Sequence, residues 1–182
     1  MEYDFKNFRG RLAQFNKFGN GPGDWASRWS KQPLVQILDR FSNGNLDEFE
    51  IFTHYLPKHL PVLEAGCGMG HLVMALSARG YQIRGVDYAE ETINRIKEAN
   101  SQLDVRVDNV YSLADLDNTY GGYISLGVFE HNPDGPLEGL KEAQRVLHPQ
   151  GVAFISVPFL NPTRQRWLKH VPVERDTVLS NG

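Results

Sequence analysis

The spacing of apolar residues along the chain changes near residue 60. Before this point, residues 1–30 are rich in aromatic side chains and glycine and show no clear period. Pro33 suits the first turn of a helix, and a helix is predicted behind it from one apolar face: Leu34, Ile37, Leu38 and Phe41. A second amphipathic helix, ending at Pro57, is predicted from Leu46, Phe49, Phe52 and Leu56.

After residue 60, short apolar runs alternate with amphipathic stretches. The runs predict strands at 60–65, 82–86, 103–107, 123–128 and 151–157, and the stretches predict helices at 72–79, 89–100 and 136–147. Apolar strands without polar alternation are typical of a parallel sheet that is covered on both faces. The predicted fold class is therefore α/β, with a doubly wound, mostly parallel Rossmann-like sheet.

The same pattern divides the chain into three segments. Residues 1–58 are expected to form an N-terminal helical and aromatic cover, and residues 59–158 the Rossmann-like core. Residues 159–182 contain no convincing further strand and are expected to begin a C-terminal part that the chain lacks. A basic run in this tail is predicted to be the solvated face of a helix: Arg164, Arg166, Lys169, His170 and Arg175.

The composition is that of one ordinary globular domain. The chain has 182 residues, 41% of them hydrophobic, which is enough to bury a core without a disulfide or a metal. A formal net charge of −3 offers no basic surface for a polyphosphate and disfavours nucleic acid as a partner. The single cysteine, Cys67, cannot form an intramolecular disulfide, and no apolar run is long enough to span a membrane, so a cytoplasmic location is expected.

Three glycines at alternating positions follow the first core strand, in the stretch VLEAGCGMGHL at residues 62–72. In an open parallel sheet this turn lies at the carboxyl ends of the strands, where ligands bind. Glycines there let the backbone approach a ligand closely. Asp87 ends the second strand, 21 residues after Gly66, where its carboxylate can accept hydrogen bonds from ribose hydroxyls. Both features fit any adenosine cofactor.

The spacing of the glycines and one nearby acid distinguish between cofactors. A dinucleotide fingerprint, G-x-G-x-x-G, needs its third glycine at position 71, but His71 stands there and the third glycine is Gly70. Glu64, two residues before the first glycine, would be unfavourable beside a pyrophosphate. The Glu64 carboxylate is compatible, by direct contact or through water, with a cofactor that carries a cationic amine and a sulfonium. The turn therefore favours a sulfonium cofactor over NAD.

These residues resemble the motifs of class I S-adenosylmethionine-dependent methyltransferases. Residues 64–70 are similar to motif I, E/D-x-G-x-G-x-G, and Asp87 matches the acid of the second motif. Asp108 matches the acid after the third strand, which in that family lies beside the adenine amino group. Residues 125–135 and 145–158 resemble the fourth-strand motif and the helix-loop-strand after it, so the resemblance covers roughly residues 60–158. It is strongest to the branch that methylates small molecules such as quinone precursors, sugars and lipids.

The resemblance implies a fold, a cofactor and a set of contacts. The strand order would be 3-2-1-4-5, the cofactor S-adenosyl-L-methionine and the product S-adenosyl-L-homocysteine, with methyl transfer to an oxygen or carbon of a small-molecule acceptor and no metal. The implied cofactor-binding residues are Glu64, Gly66, Cys67, Gly68, Gly70, Asp87, Tyr88, Asp108, Asn109 and Gly127. The chain departs from the family in two places. Tyr120-Gly121 stands where Phe-Asp is usual, and the sixth and seventh strands of the family sheet are expected to be absent.

Several other residues are candidates for a role in the site. His131, in the loop after the fourth strand, is either a general base that takes a proton from the acceptor or a structural brace. Cys67 is expected to pack under the turn rather than act as a nucleophile. An aromatic group forms either a lid over the cofactor or a cover on the core: Trp25, Arg28 and Trp29. Four histidines lack metal-ligand spacing and are expected at the surface: His54, His59, His148 and His170.

Other functions stay open at this point. A non-catalytic or incomplete domain that binds an S-adenosyl compound would share the same motifs. A short NAD-dependent oxidoreductase would share the fold, but none of the seven tyrosines begins the Y-x-x-x-K pair expected of that class. Methylation of amino groups in DNA or glutamine is disfavoured because GVFEHN, at residues 127–132, stands where (N/D/S)-P-P-(Y/F/W) is expected. Protein arginine methylation would need two acids in that loop, and Glu130 alone does not provide them.

Overall fold

The structure is a computed structural model that describes residues 3–8, 11–16, 21–46, 50–132 and 134–158. Its centre is a five-stranded parallel sheet with the spatial order β5-β4-β3-β6-β7. The strands are β3 Val62–Ala65, β4 Ile83–Asp87, β5 Val105–Val107, β6 Tyr120–Leu126 and β7 Leu147–Ser156. Counted from the first core strand, this is the order 3-2-1-4-5, which confirms the predicted doubly wound sheet.

Helices cover both faces of the sheet, and each face has its own apolar core. Three helices connect the core strands: α4 His71–Ala78, α5 Glu90–Ala99 and α6 Leu137–Val146. Neighbouring residues of β3 point to opposite sides, because Val62 packs with α4 and α5 while Leu63 packs with α6. The central strands are therefore apolar at successive positions, which is the pattern that predicted them. No predicted boundary of a core element differs from the observed one by more than four residues.

The N-terminal part of the chain contains an element that the sequence analysis missed. β1 Tyr3–Phe8 and β2 Arg11–Asn16 form an antiparallel hairpin that pairs Tyr3 with Asn16. Three helices follow, α1 Pro22–Ser30, α2 Leu34–Phe41 and α3 Ile51–Tyr55. The prediction of a helical cover over residues 1–58 was therefore wrong for the hairpin and right for the helix behind Pro33. The second predicted helix is shorter than expected, and its Phe49 lies outside the described residues.

The departure at Tyr120-Gly121 has a packing explanation. Tyr120 begins β6 and is buried, and its hydroxyl donates a hydrogen bond to Asp115 Oδ1 at 2.8 Å. A Cβ on Gly121 would lie 2.5 Å from the Cβ of Leu60, and one on Gly122 would collide with the side chain of Leu56. The glycines thus let the segment after α3 lie directly on the start of β6.

The predicted tail, residues 159–182, with its basic run and His170, lies outside the described residues. The expected absence of a sixth and a seventh strand therefore stays a prediction. Among the residues that the structure describes, no helix combines the length and the apolar character needed to cross a membrane.

Candidate cofactor site

The glycine turn joins β3 to α4 at the carboxyl edge of the sheet. Gly66, Gly68 and Gly70 have φ angles of 82°, 50° and 72°, a region that residues with a Cβ rarely adopt. There is also no room for a side chain at two of these positions, because a Cβ on Gly66 would collide with Val128 and one on Gly68 would lie 2.9 Å from Trp29 Cζ2. The sequence pattern of alternating glycines therefore reflects both backbone conformation and close contacts.

Asp87 ties this turn to the next helix. Its Oδ2 accepts a hydrogen bond from the backbone N–H of Gly68 at 2.9 Å, and its Oδ1 accepts one from the N–H of Ala89 at 2.9 Å. Burial raises the pKa of the Asp87 carboxyl, and these N–H groups act in the opposite direction. The backbone N–H of Tyr88 also interacts with this carboxyl. Three donors leave part of the roughly four lone-pair sites of a carboxylate as acceptor capacity for the ribose hydroxyls that the sequence analysis assigned to this acid.

Glu64 lies beneath the turn. Its Oε2 accepts a hydrogen bond from the backbone N–H of Val73 at 3.2 Å, in the first turn of α4, where the helix dipole favours negative charge. The residue is 7% exposed. Burial raises the pKa of its carboxyl to about 8, and the charge of Asp87 acts in the same direction. In this structure Glu64 braces the helix start, while its predicted contact with a cationic cofactor stays a prediction.

Cys67 is buried on the inner side of the turn. A Cβ on Gly85 would lie 2.9 Å from Cys67 Sγ, so the thiol packs against the backbone of β4. Burial, together with the charges of Glu64 and Asp87, raises the pKa of the thiol. A thiol that is held protonated is a poor nucleophile, which agrees with the structural role expected from the sequence.

Three more of the predicted cofactor residues lie at the carboxyl ends of β4 and β5. The backbone N–H of Asp108 donates to the carbonyl of Asp87 at 3.0 Å, so the two acids lie side by side. Asp108 Oδ1 accepts from the N–H of Asn109 at 2.8 Å, and its Oδ2 pairs with Arg106 Nη2 at 2.7 Å. Tyr88 is 38% exposed, and burial together with the charges of Asp87 and Asp24 raises the pKa of its hydroxyl.

The other wall of the crevice begins where β6 ends. Gly127 has a φ of 68°, and a 3₁₀ turn, Phe129–His131, follows it. His131 Nε2 lies 3.9 Å from Glu130 Oε1, and the His131 ring meets the edge of the Trp25 ring with 4.9 Å between centroids. Burial raises the pKa of Glu130. Glu130 and His131 are neighbours in the sequence, and the 3₁₀ turn keeps their side chains close together on this wall of the crevice.

Helix α1 extends across this crevice. The indole of Trp29 lies against Gly68, and the carbonyl of Trp29 accepts a hydrogen bond from Arg95 Nη1 of α5 at 2.9 Å. Trp25 stacks on Trp29 with ring centroids 6.0 Å apart, and Arg28 Cζ lies 5.0 Å from the centroid of the Trp25 ring. The hairpin strand β2 runs beside the 3₁₀ turn at the other end. Both interpretations of this aromatic group fit a helix that covers the turn.

Of the four histidines expected at the surface, three lie in the described part of the chain. His54 and His59 are exposed, and His148 is partly exposed. Among the described residues, no group of three or more His, Cys, Asp or Glu side chains is arranged to hold a metal ion.

The switch in strand order, the glycine turn beside it and the acid that ends β4 define a Rossmann-like domain of the class that binds nucleoside cofactors. A family model described as a methyltransferase domain matches residues 28–180. The chain belongs to this methyltransferase family.

Individual relatives agree with this assignment. The chain is similar to a ubiquinone biosynthesis O-methyltransferase from Idiomarina loihiensis, with 34% identity over 112 residues that cover 59% of this chain and 45% of that protein. It is also similar to the enzyme of the same name from Dechloromonas aromatica, with 29% identity over 155 residues that cover 82% and 64%. A solved SAM-dependent methyltransferase from Methanosarcina mazei superposes with a TM-score of 0.55 at 25% identity, covering 60% of this chain and 57% of that chain. The chain thus spans less than two thirds of the length of each of these relatives.

Proposed function

We propose that the protein binds S-adenosyl-L-methionine in the crevice above the glycine turn and transfers its methyl group to an oxygen or carbon of a small-molecule acceptor. The observation that carries this proposal is the link between Asp87 and the N–H of Gly68 in a chain of the methyltransferase family. It fixes the glycine turn and the ribose-binding acid in one rigid unit. The names of the two ubiquinone biosynthesis relatives support an oxygen acceptor.

The cofactor would supply the reactive methyl group, and the residues of the chain would bind and orient it. The sulfonium of the cofactor makes its methyl group electrophilic. The chain would bind and orient it, with the glycine turn against the methionine part, Asp87 at the ribose, and Tyr88, Asp108 and Asn109 at the adenine. Burial raises the pKa of Glu64 to about 8, so its carboxyl would release its proton when a cationic cofactor binds and would then balance positive charge from below the turn. Helix α1 would exclude water from above, since Trp29 already covers Gly68.

His131 is the candidate for proton transfer at the acceptor. An oxygen nucleophile must lose a proton as it attacks, and His131 lies at the carboxyl end of β6 beside Glu130. The opposing interpretation is that the Trp25, Glu130 and His131 contacts only brace the loop. Replacement of His131 distinguishes the two roles, because the loss of a base lowers turnover and the loss of a brace lowers stability.

A binding domain without turnover is the second candidate function. It is favoured by the coverage, because the similarity to the Idiomarina relative extends over 45% of that protein, and by the acceptor site, to which no residue has been assigned. An NAD-dependent oxidoreductase is disfavoured by the family assignment and by His71 at the third fingerprint position. A cytoplasmic location stays a prediction from composition.

Calorimetric titration separates these candidates. S-adenosylhomocysteine is expected to bind the purified chain and NADH is not, and an absence of heat with S-adenosylhomocysteine would contradict the proposed cofactor. Incubation with S-adenosyl-L-methionine and a panel of phenols, catechols and other small acceptors then tests turnover by the S-adenosylhomocysteine formed. Binding without product across the panel would favour the non-catalytic candidate.

A further inference from the structure

Five charged side chains form a chain of ion pairs along the outer part of the sheet, which we call the charge ladder. In spatial order it consists of Asp104, Arg84, Asp115, Arg106 and Asp108. Arg84 lies on β4 and Arg106 on the neighbouring β5. The ladder ends at the acid that the proposed function assigns to adenine, so its last members lie beside the cofactor crevice.

Asp115 is the centre of the ladder. Its side chain is 6% exposed, and its Oδ2 accepts a hydrogen bond from Arg106 Nη2 at 2.5 Å. Its Oδ1 accepts from the Tyr120 hydroxyl at 2.8 Å and from Arg84 Nη1 at 3.4 Å. Both oxygens of a largely buried carboxylate are thus fixed by donors from three strands. A carboxylate held in this way fixes the arginine that it binds.

Arg106 in turn holds one oxygen of Asp108. Its Nη2 and Nε donate to Asp108 Oδ2 at 2.7 and 3.2 Å, and the backbone N–H of Ala114 donates to the same oxygen at 3.2 Å. Asp108 Oδ1 accepts from the N–H of Asn109 at 2.8 Å. A carboxylate oxygen has about two lone-pair sites. Three donors therefore saturate Oδ2, while Oδ1 keeps acceptor capacity.

We propose that Arg106, held by Asp115, is a positioning residue that directs Asp108 Oδ1 to the 6-amino group of adenine and so sets the selectivity for a 6-amino over a 6-oxo purine. This inference rests on the proposed function. A 6-amino group donates a hydrogen bond to Oδ1, whereas a 6-oxo group presents a second acceptor to it. A site that is built around one donor rejects an analogue that lacks the donor, because a polar group of the site is then left unpaired.

The ladder itself supplies a matched control. Arg84 has a side-chain exposure of 34%, close to the 29% of Arg106, and also pairs with Asp115. It makes its other ion pair with Asp104, at 2.9 Å, and not with Asp108. Loss of either arginine weakens the ladder, but only the loss of Arg106 removes the two guanidinium donors from Asp108 Oδ2.

The test compares the affinities of S-adenosylhomocysteine and S-inosylhomocysteine, which differ at position 6 of the purine, by calorimetry. The wild-type chain is expected to prefer the adenosyl compound by about tenfold or more. Arg106→Leu is expected to reduce this ratio several-fold, Arg106→Lys to restore part of it, and Arg84→Leu to leave it within about twofold of the wild-type ratio. Asp115→Asn, which keeps the size of the side chain and removes its charge, should reduce the ratio as well and serves if Arg106→Leu does not fold.

The outcomes separate this inference from the proposed function. Binding of S-adenosylhomocysteine with an unchanged ratio in Arg106→Leu and Asp115→Asn would overturn the positioning role alone. An equal change in Arg84→Leu would also overturn it, because the ladder would then act through stability. If the wild-type chain binds neither compound, the cofactor assignment fails and this inference fails with it.

Discussion

Replacement of Glu64 by glutamine should change how the stability of the protein depends on pH. The pKa of about 8 lies well above the ordinary value of 4.5 and is caused mainly by burial. Between these values the folded protein keeps the proton and the unfolded chain loses it. The stability contributed by this group is therefore fully present below pH 4.5 and is lost as the pH rises toward 8.

The size of the effect follows from the width of this pH window. Each pH unit within it changes the free energy of unfolding by about 1.36 kcal/mol. From pH 5 to pH 7 the wild-type chain should lose about 2–3 kcal/mol through Glu64. Glu64→Gln removes the titration and keeps an oxygen that can accept the hydrogen bond from Val73.

Urea denaturation followed by tryptophan fluorescence at pH 5 and pH 7 measures this difference. The free energy of unfolding of Glu64→Gln, relative to wild type, should rise by about 2–3 kcal/mol between the two pH values. Asp87 and Glu130 also titrate, but they do so in both proteins and cancel in the comparison. Glu98→Gln, the same substitution at an exposed position of α5, is the control for the loss of one carboxyl group. Parallel pH profiles for Glu64→Gln and wild type would refute the reasoning.

Three further variants test the site. Gly68→Ala should weaken S-adenosylhomocysteine binding by at least about tenfold, because its Cβ would lie 2.9 Å from Trp29 Cζ2. The control is Gly80→Ala, where φ is 82° but the space around the Cβ is open. It should lower the free energy of unfolding by about 1 kcal/mol and leave binding unchanged. Asp87→Ala should weaken the same binding at least several-fold by calorimetry, and an unchanged affinity would mean that the ribose contact is misplaced. If His131 is the base, His131→Ala should lower turnover about a hundredfold with the affinity for S-adenosylhomocysteine unchanged, whereas normal turnover with a lower melting temperature would identify a brace.

The core of the fold could be predicted from the sequence because its signals are local. Strands buried on both faces need successive apolar residues, and a tight strand-to-helix turn with positive φ angles needs glycines at Gly66, Gly68 and Gly70. The candidate cofactor residues were predicted from a signal of the same local kind, since motif spacing fixes their place at the carboxyl ends of the strands. The hairpin has a weaker signal, in which Tyr3 and Phe5 alternate with polar residues over a short stretch.

The contacts that complete the site depend on distant parts of the chain. Trp29 meets Gly68 across 39 positions of the sequence, and no local pattern indicates that α1 crosses the crevice. Arg106 and Asp108 are two positions apart at the end of a strand, so their proximity could have been inferred from the strand period of two. Their third partner, Asp115, comes from a loop, and only the folded chain brings it beside them.

The position of α1 also separates two properties of any molecule that binds beneath Trp29. Its affinity would come from the glycine turn and the acids at the strand ends, which are built into the sheet. Its entry and escape would require α1 to move, because the indole on Gly68 and the bond from Arg95 to the Trp29 carbonyl keep the helix in place. A change at Arg95, which lies outside the crevice, would then speed both entry and escape while leaving the equilibrium between them nearly the same.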